Sequence, residues 1–208
     1  MNQTKNHWYD GWFYDKFIAP NQDRMFGEIK KNIQPNSTVI DVGCGTGRFS
    51  FLAADKAAKV VGIDLSEKNI NTAKRTLEKN PNSKISFIHS SLSELAKTNQ
   101  HFDYAVMTYV IHEVNPEERI NLLKEMSSIA DKIIIGDYLV PVKKGFWSVL
   151  NELVECFAGR EHYRNFKDFA ANNGLINLAN KAELNIIFEL KHTPSTSQVL
   201  VLEHPKTI

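Results

Sequence analysis

Thr38-Val-Ile-Asp-Val-Gly-Cys-Gly-Thr-Gly-Arg48 decides the fold. Its first five residues, β-branched except for Asp41, read as a strand, and the three glycines that follow read as a tight turn. From Arg48 to Ala58 the apolar spacing turns helical, so the stretch opens a strand-turn-helix unit of the βαβ kind. The alternation then repeats outward along the chain. Lys59-Val-Val-Gly-Ile63 is followed by a helix from Ser66 to Lys79, Lys84-Ile-Ser-Phe-Ile88 by a short segment to Ala96, and Phe102-Asp-Tyr-Ala-Val-Met107 by a helix from Pro116 to Ala130. Lys132-Ile-Ile-Ile-Gly136 is apolar without alternation, as expected of a parallel strand covered on both faces. Helix ends agree: Ser66 with Asn69, and Asn115-Pro116-Glu117-Glu118, place caps, an N1 proline and acids at two helix starts. Asn80-Pro81-Asn82 closes the helix begun at Ser66.

Beyond Asp137 the pattern changes. Helical stretches at Gly145 to Phe157, Phe166 to Asn172 and Leu175 to Ala182 lead to two strands, Leu184 to Leu190 and Gln198 to Glu203, with no helix between them. That is a hairpin. The expected fold is α/β, a doubly wound, Rossmann-like, mostly parallel seven-stranded sheet with a C-terminal antiparallel hairpin. The 208 residues suit one domain, 1–208, with a helical N-terminal lid at 1–35 and a substrate-covering helical insertion at 141–173 after the fifth strand.

Composition narrows the function. Lys+Arg 25 against Asp+Glu 24 gives a net charge of +1, so no basic surplus advertises nucleic acid. The two cysteines, Cys44 and Cys156, match no metal-ligand spacing and no disulfide scaffold, and a reducing cytoplasm is the expected location. Met1 to Phe17 has no apolar core of a signal peptide, and no apolar stretch reaches the ~20 residues of a membrane span. The expected partner is a small-molecule acceptor, without nucleic acid, metal or membrane span.

The glycine turn and Asp64, at the end of the second strand, carry the chemistry. Glycines let backbone approach a ligand, and a carboxylate at that strand end accepts both hydrogen bonds of a ribose diol. In a dinucleotide site the loop reads G-x-G-x-x-G; here the third glycine comes one position early, and Asp41 would repel a pyrophosphate. The same carboxylate suits an ammonium and a sulfonium, the charges of S-adenosylmethionine. Val39 to Gly47, Val61-Gly-Ile-Asp-Leu-Ser66 and Phe102 to Met107 together resemble three successive motifs of the class I S-adenosylmethionine-dependent methyltransferases, over about Ser37 to Asp137. The resemblance implies that Gly43, Cys44, Gly45 and Gly47 cradle the methionine part with Asp41 supporting its amino group, and that Asp64, with Leu65, holds the ribose end. It also implies Ser91 and Leu92 beside the adenine, where relatives commonly carry Asp in place of Ser91, and Thr108 and Tyr109 beside the transferable methyl group. S-adenosylhomocysteine would be the product.

The sulfonium activates the methyl group, so the protein has chiefly to align a nucleophile and remove a proton. Candidates are His112 and Glu113 past the fourth strand and Asp137 and Tyr138 at the end of the fifth, where open parallel sheets bind ligands. Tyr14, Trp147, His162 and Tyr163, from the two aromatic-rich flanking segments, are the expected substrate contacts. The expected function is methyl transfer to a small organic acceptor. Rival readings are an RNA or protein methyltransferase, an NAD-dependent oxidoreductase, and a protein that binds the cofactor without turnover.

Overall fold

Parallel strands and their crossover helices dominate the computed structural model, which describes residues 19–140, 159–192 and 197–205. The strands are β1 (Thr38–Val42), β2 (Lys59–Asp64), β3 (Ile85–His89), β4 (Phe102–Thr108), β5 (Ala130–Tyr138), β6 (Asn185–His192) and β7 (Ser197–Glu203). They form one sheet in the order β3-β2-β1-β4-β5-β7-β6, parallel through β5 and antiparallel where β7 joins β5 and β6. The order reverses between β1 and β4, the switch point at which an open α/β sheet offers a crevice beyond its strand ends.

The helices are α1 (Ala19–Asn32), α2 (Arg48–Ala54), α3 (Glu67–Lys79), α4 (Leu92–Ala96), α5 (Arg119–Ile129), α6 (Arg160–Ala171) and α7 (Gly174–Lys181). Side chains alternate across each strand, which divides the core in two. Ile40, Met107, Ile133 and Ile135 pack with Leu123, Met126, Phe169 and Leu178 from α5, α6 and α7. Val39, Val106 and Ile134 pack with Met25, Ile29, Phe49 and Ile70 from α1, α2 and α3.

Phe87 of β3 is wedged between two glycines. A Cβ at Gly62 would lie 2.7 Å from its ring, and one at Gly47 would meet the same ring. On the outer edge, β6 leaves Ile186, Ile187 and Phe188 partly exposed around a register shift in its ladder with β7.

Most element boundaries lie within a few residues of those expected. The helix expected from Pro116 begins instead at Arg119, because residues 116–118 form a turn whose Glu118 N–H donates to the Asn115 carbonyl. The helix expected at 166–172 begins earlier, at Arg160, and β5 extends past Gly136 to carry Asp137 and Tyr138 in the strand. Of the segment expected as a lid at 1–35, α1 is described, and of the expected insertion at 141–173, α6 is described; Tyr14 and the helix expected at Gly145 to Phe157, with Trp147 and Cys156, lie outside the described residues. Among the described residues no helix is long and apolar enough to cross a membrane.

Gly136 lets α1 lie close on β5, since a Cβ there would come within 2.9 Å of Ile29 Cδ1 and closer still to the Met25 thioether. Gly136→Ala is therefore expected to cost about 1–3 kcal/mol of stability, read as a fall in urea midpoint at constant slope. Met25→Ala in the same chain is expected to recover part of that loss, a coupling that a double-mutant cycle measures.

Candidate functional site

The turn after β1 is built on left-handed backbone, with φ +72 at Gly43, +55 at Gly45 and +85 at Gly47. Two of the three glycines are also sterically required: a Cβ on Gly43 would lie 2.6 Å from Val110 Cγ2, and one on Gly47 would strike Phe87. Gly45 differs, because nothing lies within 4 Å of where its Cβ would be. The loop is packed at both ends and open at its middle, the shape of a cradle for a ligand that touches backbone.

Asp64 fixes that cradle. Its Oδ2 accepts the Gly45 N–H at 2.8 Å and its Oδ1 accepts the Ser66 N–H at 2.8 Å, while Ser66 caps α3 by accepting the Asn69 N–H. Each carboxylate oxygen can accept a second hydrogen bond, so a ribose diol is compatible with the clasp. Leu65 follows with 76% exposure, the highest of the large hydrophobic side chains among the described residues, and its carbonyl meets His89 Nε2 at 3.0 Å.

Asp41 lies beneath the loop with no exposure. Ser50 Oγ of α2 donates to its Oδ2 at 2.6 Å, and its Oδ1 has no hydrogen-bond partner. Burial pushes the carboxyl up from 3.8 to about 7, partly offset by Ser50 and reinforced by the charge of Asp64. Cys44 is buried and free, and burial together with the two carboxylates pushes its thiol well above the ordinary range.

The remaining expected cofactor residues have structural duties of their own. Ser91 caps α4 in a reciprocal box with Glu94, and its Oγ accepts the Glu94 N–H at 3.1 Å. Its hydroxyl proton is still a donor. Leu92 is 4% exposed and packs in the α5 side of the core. Thr108 ends β4, and Tyr109 beyond it holds φ +53, unusual for a bulky residue, while its N–H donates to Gly136 at 2.8 Å. The Tyr109 ring meets Tyr138 edge-on at 5.4 Å.

The four expected proton-handling residues converge. His112 Nδ1 is 2.7 Å from Asp137 Oδ1, both side chains are buried, and the His112 ring lies 4.7 Å from Tyr138. Glu113 spans two imidazoles, 3.7 Å from His112 Nε2 and 3.7 Å from His162 Nδ1. His162 of α6 is thereby brought to the cluster, whereas Tyr163 stacks against Lys167 along its own helix. Among the described residues no three His, Cys, Asp or Glu side chains are arranged to hold a metal ion.

Three residues that organise the site have no place among the sequence candidates. Ser50 serves Asp41. Arg119, 2% exposed, donates to the carbonyls of Val114, His112 and Asn165 and to Asp168 Oδ1, and stacks over Phe169. Asn165 Nδ2 donates to the Glu113 carbonyl at 2.8 Å. Together these bolt α6 to the turn that carries His112. The sequence holds one signal for Arg119, a cation at a helix N-terminus where the macrodipole disfavours it.

Two measurements follow from these contacts. Amides of α6 from Phe166 to Ala170 are expected to be protected from hydrogen exchange without any ligand, and Asp168→Ala, which strips a charged hydrogen bond from Arg119, is expected to lower stability by about 1.5–3 kcal/mol and to release that protection first. For Asp41 the folded value lies above the unfolded one, so its contribution is complete below pH 3.8 and is lost as pH rises through about 7. Relative to Asp41→Asn, wild-type stability is expected to fall by about 1.4 kcal/mol per pH unit across that window, read from urea melts at a series of pH values.

Comparison with known proteins agrees with this geometry. A family model described as a methyltransferase domain matches residues 39–132. The chain is similar to the O-antigen chain terminator bifunctional methyltransferase/kinase WbdD of Escherichia coli, 32% identical over 116 residues, covering 53% of this chain and 16% of that protein. It is also similar to demethylmenaquinone methyltransferase of Bacillus cereus, 28% identical over 121 residues, covering 55% of this chain and 50% of the relative. The matched stretch thus spans half or less of either relative. The crystal structure of magnesium protoporphyrin IX methyltransferase (ChlM) from Synechocystis PCC 6803 with bound S-adenosylhomocysteine superposes with a TM-score of 0.69 at 20% identity, over 95% of this chain and 91% of that one, and shares its fold. Motif, strand order and family model point the same way: residues 39–132 of this chain are similar to a methyltransferase domain, in keeping with the resemblance to the class I S-adenosylmethionine-dependent methyltransferases.

Proposed function

We propose that the chain binds S-adenosylmethionine and transfers its methyl group to a small organic acceptor that gives up a proton, in the cytoplasm. The observation that carries the reading is the Asp64 clasp on a loop whose central glycine faces open space. Gly43, Cys44, Gly45 and Gly47 offer backbone to the methionine part, and Asp64 accepts from the ribose hydroxyls while holding the loop. Exposed Leu65 gives the adenine an apolar face, with Ser91 and Leu92 along its edge and Thr108 and Tyr109 beside the methyl group. When bound, S-adenosylmethionine supplies a methyl carbon already activated by its sulfonium leaving group.

Proton removal then falls to the cluster at the ends of β4 and β5. In this reading His112 Nδ1 donates to Asp137 at 2.7 Å, which leaves Nε2, 3.7 Å from Glu113, as the basic nitrogen. Asp137 orients, His112 accepts, and half-exposed Glu113 stands at the outer end of the pair. Tyr109, Tyr138 and Phe166 form an aromatic wall there, which suits a planar or apolar acceptor. The names of two similar proteins, acting on demethylmenaquinone and magnesium protoporphyrin IX, support that class. Tyr14, Trp147, His162 and Tyr163 remain proposed substrate contacts, and the balanced charge supports an acceptor other than nucleic acid.

Calorimetry with S-adenosylhomocysteine and, separately, NADH tests the cofactor. Binding of the first alone is expected, weakened by about 10-fold or more in Asp64→Ala through loss of charge-assisted hydrogen bonds, and abolished in Gly45→Val, where a side chain at φ +55 fills the open middle of the loop. NADH binding in place of S-adenosylhomocysteine refutes the reading. With an acceptor in hand from a panel of quinols, phenols and carboxylic acids, His112→Gln is expected to lower kcat by about 10²–10⁴ with cofactor affinity unchanged.

A further inference from the structure

Asp41 is the only described carboxylate that combines complete burial with an oxygen lacking any hydrogen-bond partner. Its neighbours on β2 and β4 are Gly62 and Val106, which carry no charge. The loop above contributes the Cys44 thiol, and the end of β2 contributes the negative Asp64. On α2, Ser50 donates from a neutral hydroxyl, and the Arg48 guanidinium is turned to Asp23 at 2.7 Å and Gln22 at 3.2 Å on α1. Elsewhere on α1, Glu28 is paired with Lys31, Lys30 with Asp55, and Arg24 bears on His192. Among the described residues, then, no cation is directed at a carboxylate that water does not reach, and an ionised Asp41 would stand uncompensated.

We propose that Asp41 sets specificity by exchange: in the ligand-free protein it carries a proton, and capture of the cofactor's ammonium replaces that proton with an ion pair. This rests on the reading that the loop binds S-adenosylmethionine. The balance is simple. The Asp41 O–H bond breaks, the proton leaves to bulk buffer, and the carboxylate so formed is neutralised by the incoming ammonium, with no covalent change in the ligand. A nucleoside without the amino-acid end cannot drive the exchange, because it leaves the carboxylate uncompensated. Discrimination for the amino-acid end therefore arises beneath the loop and depends on pH. The side chain that caps the other oxygen, Ser50, tunes it, since its hydrogen bond favours the charged form.

The experiment is calorimetric titration of S-adenosylhomocysteine and of 5′-methylthioadenosine, which lacks the amino-acid end, in buffers of different ionisation enthalpy from pH 5.5 to 8.5. A group titrating near 7 is expected to release about 0.9 proton per S-adenosylhomocysteine bound at pH 6 and about 0.1 at pH 8, with affinity falling about 10-fold per pH unit on the acid side. With 5′-methylthioadenosine the release is expected to vanish and the affinity to stay level. Ser50→Ala is expected to move the release to higher pH, and Asp41→Asn to abolish it. Should Asp41→Asn not bind, the two wild-type titrations and Ser50→Ala still decide. S-adenosylhomocysteine binding without proton release at pH 6, or with release that persists in Asp41→Asn, overturns the exchange while leaving the cofactor reading intact. No S-adenosylhomocysteine binding at any pH brings down both.

Discussion

Everything at the binding edge of the sheet depends on the two hydrogen bonds that Asp64 accepts from Gly45 and Ser66. One carboxylate joins the turn after β1 to the turn after β2, across two neighbouring parallel strands on one side of the switch point. The Ile63 carbonyl takes the N–H groups of Gly43 and Cys44 from the same direction, at 2.8 and 2.9 Å. Left-handed backbone at three glycines is unfavourable to hold in a free loop, because glycine gives up more conformational freedom on ordering than any other residue. Ile63 and Asp64 offset that cost before any ligand arrives. The loop is thus shaped in advance, and binding need not order it.

The opposite wall is held by a different kind of interaction. Arg119 is a buried cation that satisfies three carbonyls and one carboxylate, and such a group stabilises little on balance because desolvation opposes its hydrogen bonds. Its contribution is to geometry. With Asn165 it ties α6 to the 112–115 turn, so the inserted helix and the His112–Asp137 pair move together or not at all. One wall of the site is therefore preorganised in the same sense as the glycine loop, though by charge burial in place of a clasp.

Much of this was legible in the residues. Alternating apolar runs and glycine punctuation located all seven strands, and the two strands without an intervening helix identified the hairpin that makes the sheet depart from all-parallel order. Those are period and chain-connectivity signals, which a sequence carries locally. Burial was harder to read. Nothing in the residue names says that Ser50 sits under Asp41 or that Arg119 is inside; these depend on contacts 9 and 46 positions distant, whereas the cap at Ser91 is a local Ser-x-x-Glu pattern. The sequence marks His112 and Asp137 only as residues near strand ends, and their 2.7 Å contact emerges from the register of β4 against β5, where Thr108 lies opposite Gly136.

Phe87 also constrains how this chain can drift in sequence. Gly47 and Gly62 both face its ring, so a side chain at either position collides while Phe87 remains. The two glycines are not equivalent, however. Gly62 lies in extended strand backbone, whereas Gly47 stands at φ +85. Shrinking Phe87 first relieves the ring clash at position 62, leaving Cys44 Sγ 3.0 Å from a new Cβ, and still leaves position 47 barred by its backbone. Substitution here has a permitted order: the aromatic on β3 must change before β2 can, and the last glycine of the loop is the least replaceable of the three.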